Sequence, residues 1–216
     1  MLPTRHYLLE DPEEIRALVR ENPWATFVSQ TSRGLLASHY PIVLEEEAEG
    51  ISIVSHVGRP DDKLHELAEG REMMLIVQGP HGYISPSWYG DETNIPTWNH
   101  VTAHLYGVPE LLDPEENFRV LSELVDRMER GVEQPRSLAM DSDMARAIAR
   151  GTVGLRLRVT RFDARAKLSQ NKTPEVRERI RTALRQPGPY RHDQLAEEMA
   201  RFDPSVLREG APGTRA

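Results

Sequence analysis

Between Tyr83 and Gly107 the chain reads YISPSWYGDETNIPTWNHVTAHLYG. It gathers two Trp, three Tyr and two His, with Ser85 and Ser87, into two strand-like runs around a turn. Core strands ordinarily alternate apolar with polar residues and use few half-polar aromatics. Rings with a polar edge suit a flat conjugated ligand that stacks on one side and hydrogen-bonds on the other, which is the chemistry of a flavin or a porphyrin. Strand alternation separates Trp98 and His100 from Thr97 and Asn99. Trp98 offers a stacking face, and Asn99 an amide that both donates and accepts. Cross-strand aromatic pairing in a barrel core is the plainer use of the same residues. Gln78 precedes Gly79-Pro80-His81-Gly82, read as a sharp bend whose glycines admit a ring or another backbone.

A second constellation is Ser55-His56-Val57-Gly58-Arg59-Pro60, followed by Lys63. A strand that ends at Ser55-His56 and turns into a helix near Pro60 presents backbone N–H groups, and Arg59 and Lys63 add positive charge beside them. That combination suits a phosphate or carboxylate. His56, at the strand end, has the chemistry to hydrogen-bond a flavin or ligate a haem iron; a rim histidine bonded to backbone is the alternative. In Ser38-His39-Tyr40-Pro41, alternation puts Ser38 and Tyr40 on one face and His39 on the other. Lys167-Leu168-Ser169-Gln170-Asn171-Lys172 is a polar run that either closes over a ligand or simply connects a strand to a helix.

The elements that must position these groups are legible from period and punctuation. Asp11-Pro12-Glu13-Glu14 starts a helix that Asn22-Pro23 ends. Ala25–Gln30 and Leu35–Leu44 read as a hairpin joined by Thr31–Gly34, and Gly50–His56 as a third strand. Pro60–Gly70 reads as a short helix with Leu64 and Leu67 inward. Glu72–Gln78 and Tyr83–Tyr89 read as strand broken by the bend, and Thr97–Leu112 as its continuation. Asp113-Pro114-Glu115-Glu116 opens a helix reaching about Arg130, and a short helix covers Ser142–Ala149. Val153–Asp163 reads as one returning strand. Thr173-Pro174-Glu175 opens a further helix, and His192–Phe202 is the last. Consecutive strands, then helices and one returning strand, make an antiparallel α+β barrel and lack the βαβ alternation of a dinucleotide fold. The expected organisation is a barrel domain over 1–172 with helices inserted at 113–150, a helical extension over 173–203 and a loose tail over 204–216.

The 216 residues suffice for a proper core. No apolar run approaches the ~18 residues that span a bilayer, and the first residues carry no basic-then-apolar leader pattern. The absence of cysteine removes disulfides, thiolate metal sites and cysteine nucleophiles, and fits a reducing cytoplasm. The net charge of −7 argues against broad binding to DNA. From Arg156 to Arg191, however, eleven Arg and Lys stand against three acids. The helices Thr173–Gln186 and His192–Phe202, joined through Pro187-Gly188-Pro189-Tyr190, could imitate a helix-turn-helix, with a linker longer than the usual turn. Sequence signatures of nucleotide-binding loops, zincins and serine hydrolases are missing.

At ISPSWY, PTWN, VTAHLYG and KLSQNK, with SHVGRP upstream, the sequence resembles the PaiB-type FMN-binding negative transcriptional regulators. The similarity runs from about Leu2 to Lys172 in the family's order. The resemblance implies a split β-barrel, a homodimer, FMN near the subunit interface, and regulation of sporulation and degradative-enzyme genes. It marks His39, His56, Arg59, Lys63, Gln78, Trp98 and His104 as cofactor-binding positions. Exposed barrel edges and a surface-lying flat cofactor argue physically for the same dimer. Haem-dependent piperazate synthases look like the same family and close an N–N bond in N-hydroxyornithine. Their likeness would make His56 the ligand of a haem b iron, with Arg59 and Lys63 on the porphyrin carboxylates. An enzyme of this kind is thus a haem-dependent N–N cyclase or a flavin-dependent oxidoreductase. Two positions depart from the family pattern. His100 stands where an aromatic commonly follows Trp-Asn, and Pro60-Asp61-Asp62 stands where Ala-Asn-Pro is common. The second puts acid beside the expected phosphate, which repels it unless Asp61 and Asp62 turn away as helix caps.

Overall fold

The computed structural model describes residues 5–90 and 95–204; the turn expected at 91–94 and the tail expected beyond Pro204 lie outside them. Alternating apolar residues form eight strands: β1 (Trp24–Thr31), β2 (Gly34–Leu44), β3 (Ser52–Gly58), β4 (Met73–Ile84), β5 (Thr97–Gly107), β6 (Pro109–Leu111), β7 (Thr152–Arg158) and β8 (Arg161–Lys167). They belong to one sheet in the order β6-β7-β3-β2-β1-β4-β5-β8. β1 runs antiparallel to β2 and β4, β3 to β2 and β7, and β6 to β7. Among the described residues six helices accompany it: α1 (Pro12–Glu21), α2 (Asp61–Leu64), α3 (Pro114–Met128), α4 (Ser142–Ala149), α5 (Pro174–Arg185) and α6 (Asp193–Arg201). The longest start as the sequence indicates. Asp11 accepts from the Glu13 N–H, Asp113 from Glu116 and Thr173 from Val176, each followed by Pro at the first helical position.

The chain falls into two compact units. One comprises Asp11–Val77 and Ala103–Asp163, the other the described residues of Met1–Glu10, Gln78–Thr102 and Ala164–Ala216. The first buries Ile15 of α1, Phe27, Ile42, Ile53, Leu75, Leu105 and Leu155. Its helix α3 lays Val120 and Leu124 against Val43 and Val54. Arg156 fixes the first turn of α3 to the sheet, bonding Glu45 at 2.8 Å and Glu116 at 2.5 Å. The second unit packs Ile180 and Leu184 of α5 with Leu195 and Met199 of α6. A buried pair closes it: Arg177 donates to both oxygens of Asp203, at 2.9 and 2.7 Å.

Three elements differ from the sequence reading. β4 runs without a break through Gly79-Pro80-His81-Gly82. β1 pairs with β4 only as far as Val77, so beyond it Pro80 meets no demand for an N–H from β1. A Cβ at Gly82 would stand 3.0 Å from the Leu195 Cδ2, so a larger residue there requires the Leu195 side chain to shift. The returning strand is two strands. Val159 donates to Ile51 and Thr160 to Tyr106, so the chain changes partner between Arg158 and Arg161 while its alternation continues. The expected helix over Pro60–Gly70 is α2 plus a separate turn at Leu67–Glu69. Glu66 takes a left-handed φ of 53° between them, and its carboxylate accepts from the Ser32 N–H in the β1–β2 loop.

Candidate functional site

The first candidate lies in the larger unit, where β3 gives way to α2. Ser38 and Tyr40 share a face, as alternation requires, and both hydroxyls donate to Asp61, at 2.9 and 2.6 Å. The Tyr40 oxygen also accepts from the Gly58 N–H at 3.3 Å. Burial, reinforced by the bond to Asp61, pushes the Tyr40 phenol up to about 12. The bond from Tyr40, with help from Ser38, holds the Asp61 carboxyl below its usual range. Arg59 donates its N–H to Gly151 and its guanidinium to the Arg150 carbonyl and to Asp62. The turn therefore differs from the expected anion cradle. The N–H groups of Gly58 and Arg59 already have acceptors, and neither Asp61 nor Asp62 is a cap, since Pro60 holds that position. Lys63 is exposed and makes no ion pair among the described residues.

His56 projects from β3 into a cleft of about 480 Å³. Leu121 and Val125 of α3, Met140 of the short turn before α4, and Met144 and Ile148 of α4 line it. The His56 Nδ1 is buried without a hydrogen-bond partner, and its ring lies 6.4 Å from that of Tyr40. Burial lowers its basicity, so the imidazole is neutral at pH 7. A cleft of about 470 Å³ shares Ala149 and Thr152 with it and carries Arg59, Arg150 and Phe118, with the Arg146 guanidinium 4.3 Å over the Phe118 ring. His39 faces away from Tyr40. It is exposed and lies 3.0 Å from Thr26 on the neighbouring strand. His104 is half-buried, and burial lowers its basicity against the opposing pull of Asp163.

The smaller unit carries the aromatic surface. Trp98 is 55% exposed. His81 stacks on it at 6.5 Å, Tyr83 meets it edge-on at 6.4 Å, and Tyr190 lies 5.0 Å from Tyr83. Gln78 is exposed. Asn99 turns inward instead, accepting from Ser169 at 3.0 Å and donating to the Met199 sulfur at 3.4 Å. The KLSQNK run is held both by its own bonds and by β5, to which Lys167 donates at Thr97 and Ser169 at Asn99. Gln170 accepts from the Leu168 N–H and donates to the Ala166 carbonyl, and Ser169 takes a φ of 64°. It connects β8 to α5.

The structure thus brings His56 and Arg59 to one strand end and puts His39 on the opposite sheet face from Tyr40. The Tyr40–Asp61 pair and the apolar cleft wall were not anticipated. The repeat of Leu121, Val125 and Leu124 on α3 was the available signal, and it reads equally as core. Among the described residues no group of three metal-ligating side chains occurs, and no helix is long and apolar enough to cross a membrane. The basic stretch from Arg156 is largely engaged by carboxylates of its own unit. Arg158 meets Glu110, Arg161 meets Glu72, Arg181 meets Glu178 and Arg191 meets Asp193.

A family model described as "Putative FMN-binding domain" matches residues 1–161. The chain is 30% identical over 171 residues to the protease synthase and sporulation protein PAI 2 of Bacillus subtilis (strain 168), covering 78% of this chain and 81% of that protein. Among solved structures it is similar to the FAD and heme binding protein from Mycobacterium smegmatis, with a TM-score of 0.54, 18% identity and coverage of 74% of this chain and 73% of that one. It is likewise similar to the flavocytochrome Anf3 from Azotobacter vinelandii, with a TM-score of 0.54, 16% identity and coverage of 74% and 68%. At these identities the two structures establish the fold, that of the flavin-binding split barrels.

Proposed function

Since the chain belongs to the PaiB-type FMN-binding family, we propose that it binds FMN as a homodimer and acts as a flavin-dependent negative regulator of transcription. The observation that carries the reading is the exposed face of Trp98, held by His81 and Tyr83, a platform for a flat heteroaromatic ring. The donor set fits the group: an aromatic face for the ring, and basic side chains for a phosphate in each unit. FMN supplies one- and two-electron redox chemistry when bound. The chain's own residues hold it and exclude water from one side. Titration of FMN followed by quenching of flavin fluorescence tests this. Trp98→Ala is expected to weaken binding by up to about tenfold, the upper range for an aromatic stack. An unchanged affinity removes Trp98 from the site. For the regulatory role, a shift of promoter DNA that responds to FMN is the expected result, and no binding at low salt contradicts it.

A second reading is favoured by one observation. His56 offers a neutral imidazole with an unpartnered, buried Nδ1 beside an apolar cleft wall. Those are the surroundings a haem ligand needs. In that reading the chain is a haem enzyme of the same fold, of the N–N-forming class, with His56 on the iron. Haem uptake lost in His56→Ala supports it, and uptake that survives the substitution ends it.

A further inference from the structure

His65 caps the end of α2 and is 4% exposed, more deeply buried than any other histidine among the described residues. Its Nδ1 lies 2.9 Å from the Ser29 hydroxyl of β1, and its Nε2 is buried without a hydrogen-bond partner. The ring sits in the middle of a segment, residues 61–69, that is fastened to β1 and β2. Asp61 takes the Ser38 and Tyr40 hydroxyls of β2, and the Glu66 carboxylate takes the Ser32 N–H of the β1–β2 loop. Leu67 is buried as well. Of these fastenings only the imidazole changes charge between pH 5 and 7. A charged His65 has no free acid to meet it. The charged groups near the ring are Asp61 on the helix it caps and Glu66, Arg71 and Glu72, the last three lining with it a cavity of about 10 Å³. β1, β4 and β6 bring only the uncharged Ser29, Gln30, Met73 and Pro109 to that cavity. Each acid is already engaged: Asp61 by two hydroxyls, Glu66 by Arg71, and Glu72 by Arg161 at 2.6 Å. The cavity has room for at most a single water. Burial accordingly lowers the basicity of the imidazole against the opposing pull of Asp61, and the ring is neutral at pH 7.

We propose that His65 is an acid-sensitive catch for residues 61–69. Neutral, it holds the segment to β1 through Ser29. A proton taken from solvent gives it a charge and a further N–H with no acceptor in the interior, and that cost is relieved only by moving out to water. The segment then leaves the sheet as a unit while the strands stay paired. Asp61 goes with it, so Tyr40 loses its acceptor and the β3–α2 corner that carries Arg59 slackens. The folded His65 titrates below the ordinary 6.5. The attachment is therefore at full strength above pH 6.5 and weakens as pH falls from there through the folded value.

Backbone hydrogen exchange of the native protein at pH 7 and pH 5, corrected for the intrinsic rate at each, tests the catch. Protection of the Leu64, His65 and Glu66 amides, all bonded inside the segment's first turns, is expected to fall at least about tenfold while β1 and β3 keep theirs. His65→Asn retains an amide for Ser29 and cannot take the proton, so its protection in the segment is expected to be the same at both pH values. His56, His100 and His104, whose basicity burial also lowers, still titrate in that variant, so the difference belongs to His65. Unchanged protection in the native protein, an equal loss in His65→Asn, or a loss shared by all the strands overturns the proposal. Should His65→Asn not fold, the native His65 ring is titrated by NMR. A value below 6.5 that coincides with the loss of protection sustains the catch; one that does not coincide with it, or lies at or above 6.5, ends it.

Discussion

Tyr40 is the residue on which the β3–α2 corner depends. Its hydroxyl donates to Asp61 and accepts from the Gly58 N–H, so it joins β2, β3 and α2. Tyr40→Phe keeps the edge-on contact with Phe27 at 5.7 Å and removes both bonds. The expected loss is roughly 1.5–3 kcal/mol in denaturant unfolding, as for a hydrogen bond to a charged group. The pH dependence has a definite sign on each side. Asp61 is depressed in the folded state, so its contribution is present above the ordinary carboxylate value and is lost as pH falls through the folded one. Tyr40 is raised from 10.0 to about 12, so its contribution is full below 10.0 and is lost as pH rises to about 12. Native protein minus Tyr40→Phe should therefore give a stability difference that narrows at both ends. A flat difference across pH contradicts the pairing. The face shared by Ser38 and Tyr40 was legible from alternation alone. Their joint capture of Asp61 was not, since it depends on where α2 returns to the sheet.

At the scale of elements, the caps were the most readable features. Asp11, Asp113 and Thr173 each precede Pro, and each accepts from the first turn. The strand ends were less readable because partners set them. Val153 to Asp163 keeps one alternation while the chain passes from β7 to β8, and β4 survives Pro80 because β1 stops pairing at Val77. Arg177 and Asp203 show the same limit. They are 26 residues apart and mutually buried, and nothing local marks them. Asp203→Asn leaves Arg177 with an uncompensated buried charge, and Arg181 also loses its 3.3 Å contact. About 3 kcal/mol of destabilisation is expected in chemical unfolding. A change under about 0.5 kcal/mol, the range of ordinary surface substitutions, contradicts the role given to the pair.

For the whole molecule, family membership and fold constrain more than any single residue does. The aromatic run from Tyr83 was the sequence's clearest signal, and the structure resolves it into two uses. Trp98 is left on the surface, while Asn99 is turned inward to hold the connection after β8 and α6. The basic stretch promised a contact surface, and most of its guanidinium groups meet carboxylates of the chain itself. Arg165, Arg179 and Arg185 make no ion pair among the described residues, and Arg179 donates to the Tyr89 carbonyl instead. Trp24 and Leu35 are exposed, single apolar residues of the kind the proposed homodimer would have reason to cover. The central claim is that a flavin travels with a pair of chains. Sedimentation velocity of the protein at micromolar concentration with added FMN, scanned across the visible spectrum, tests it most directly. The account predicts a flavin spectrum moving with a boundary of twice the chain mass. A flavin spectrum that stays behind as free small molecule, or an intense Soret band moving in its place, would contradict it.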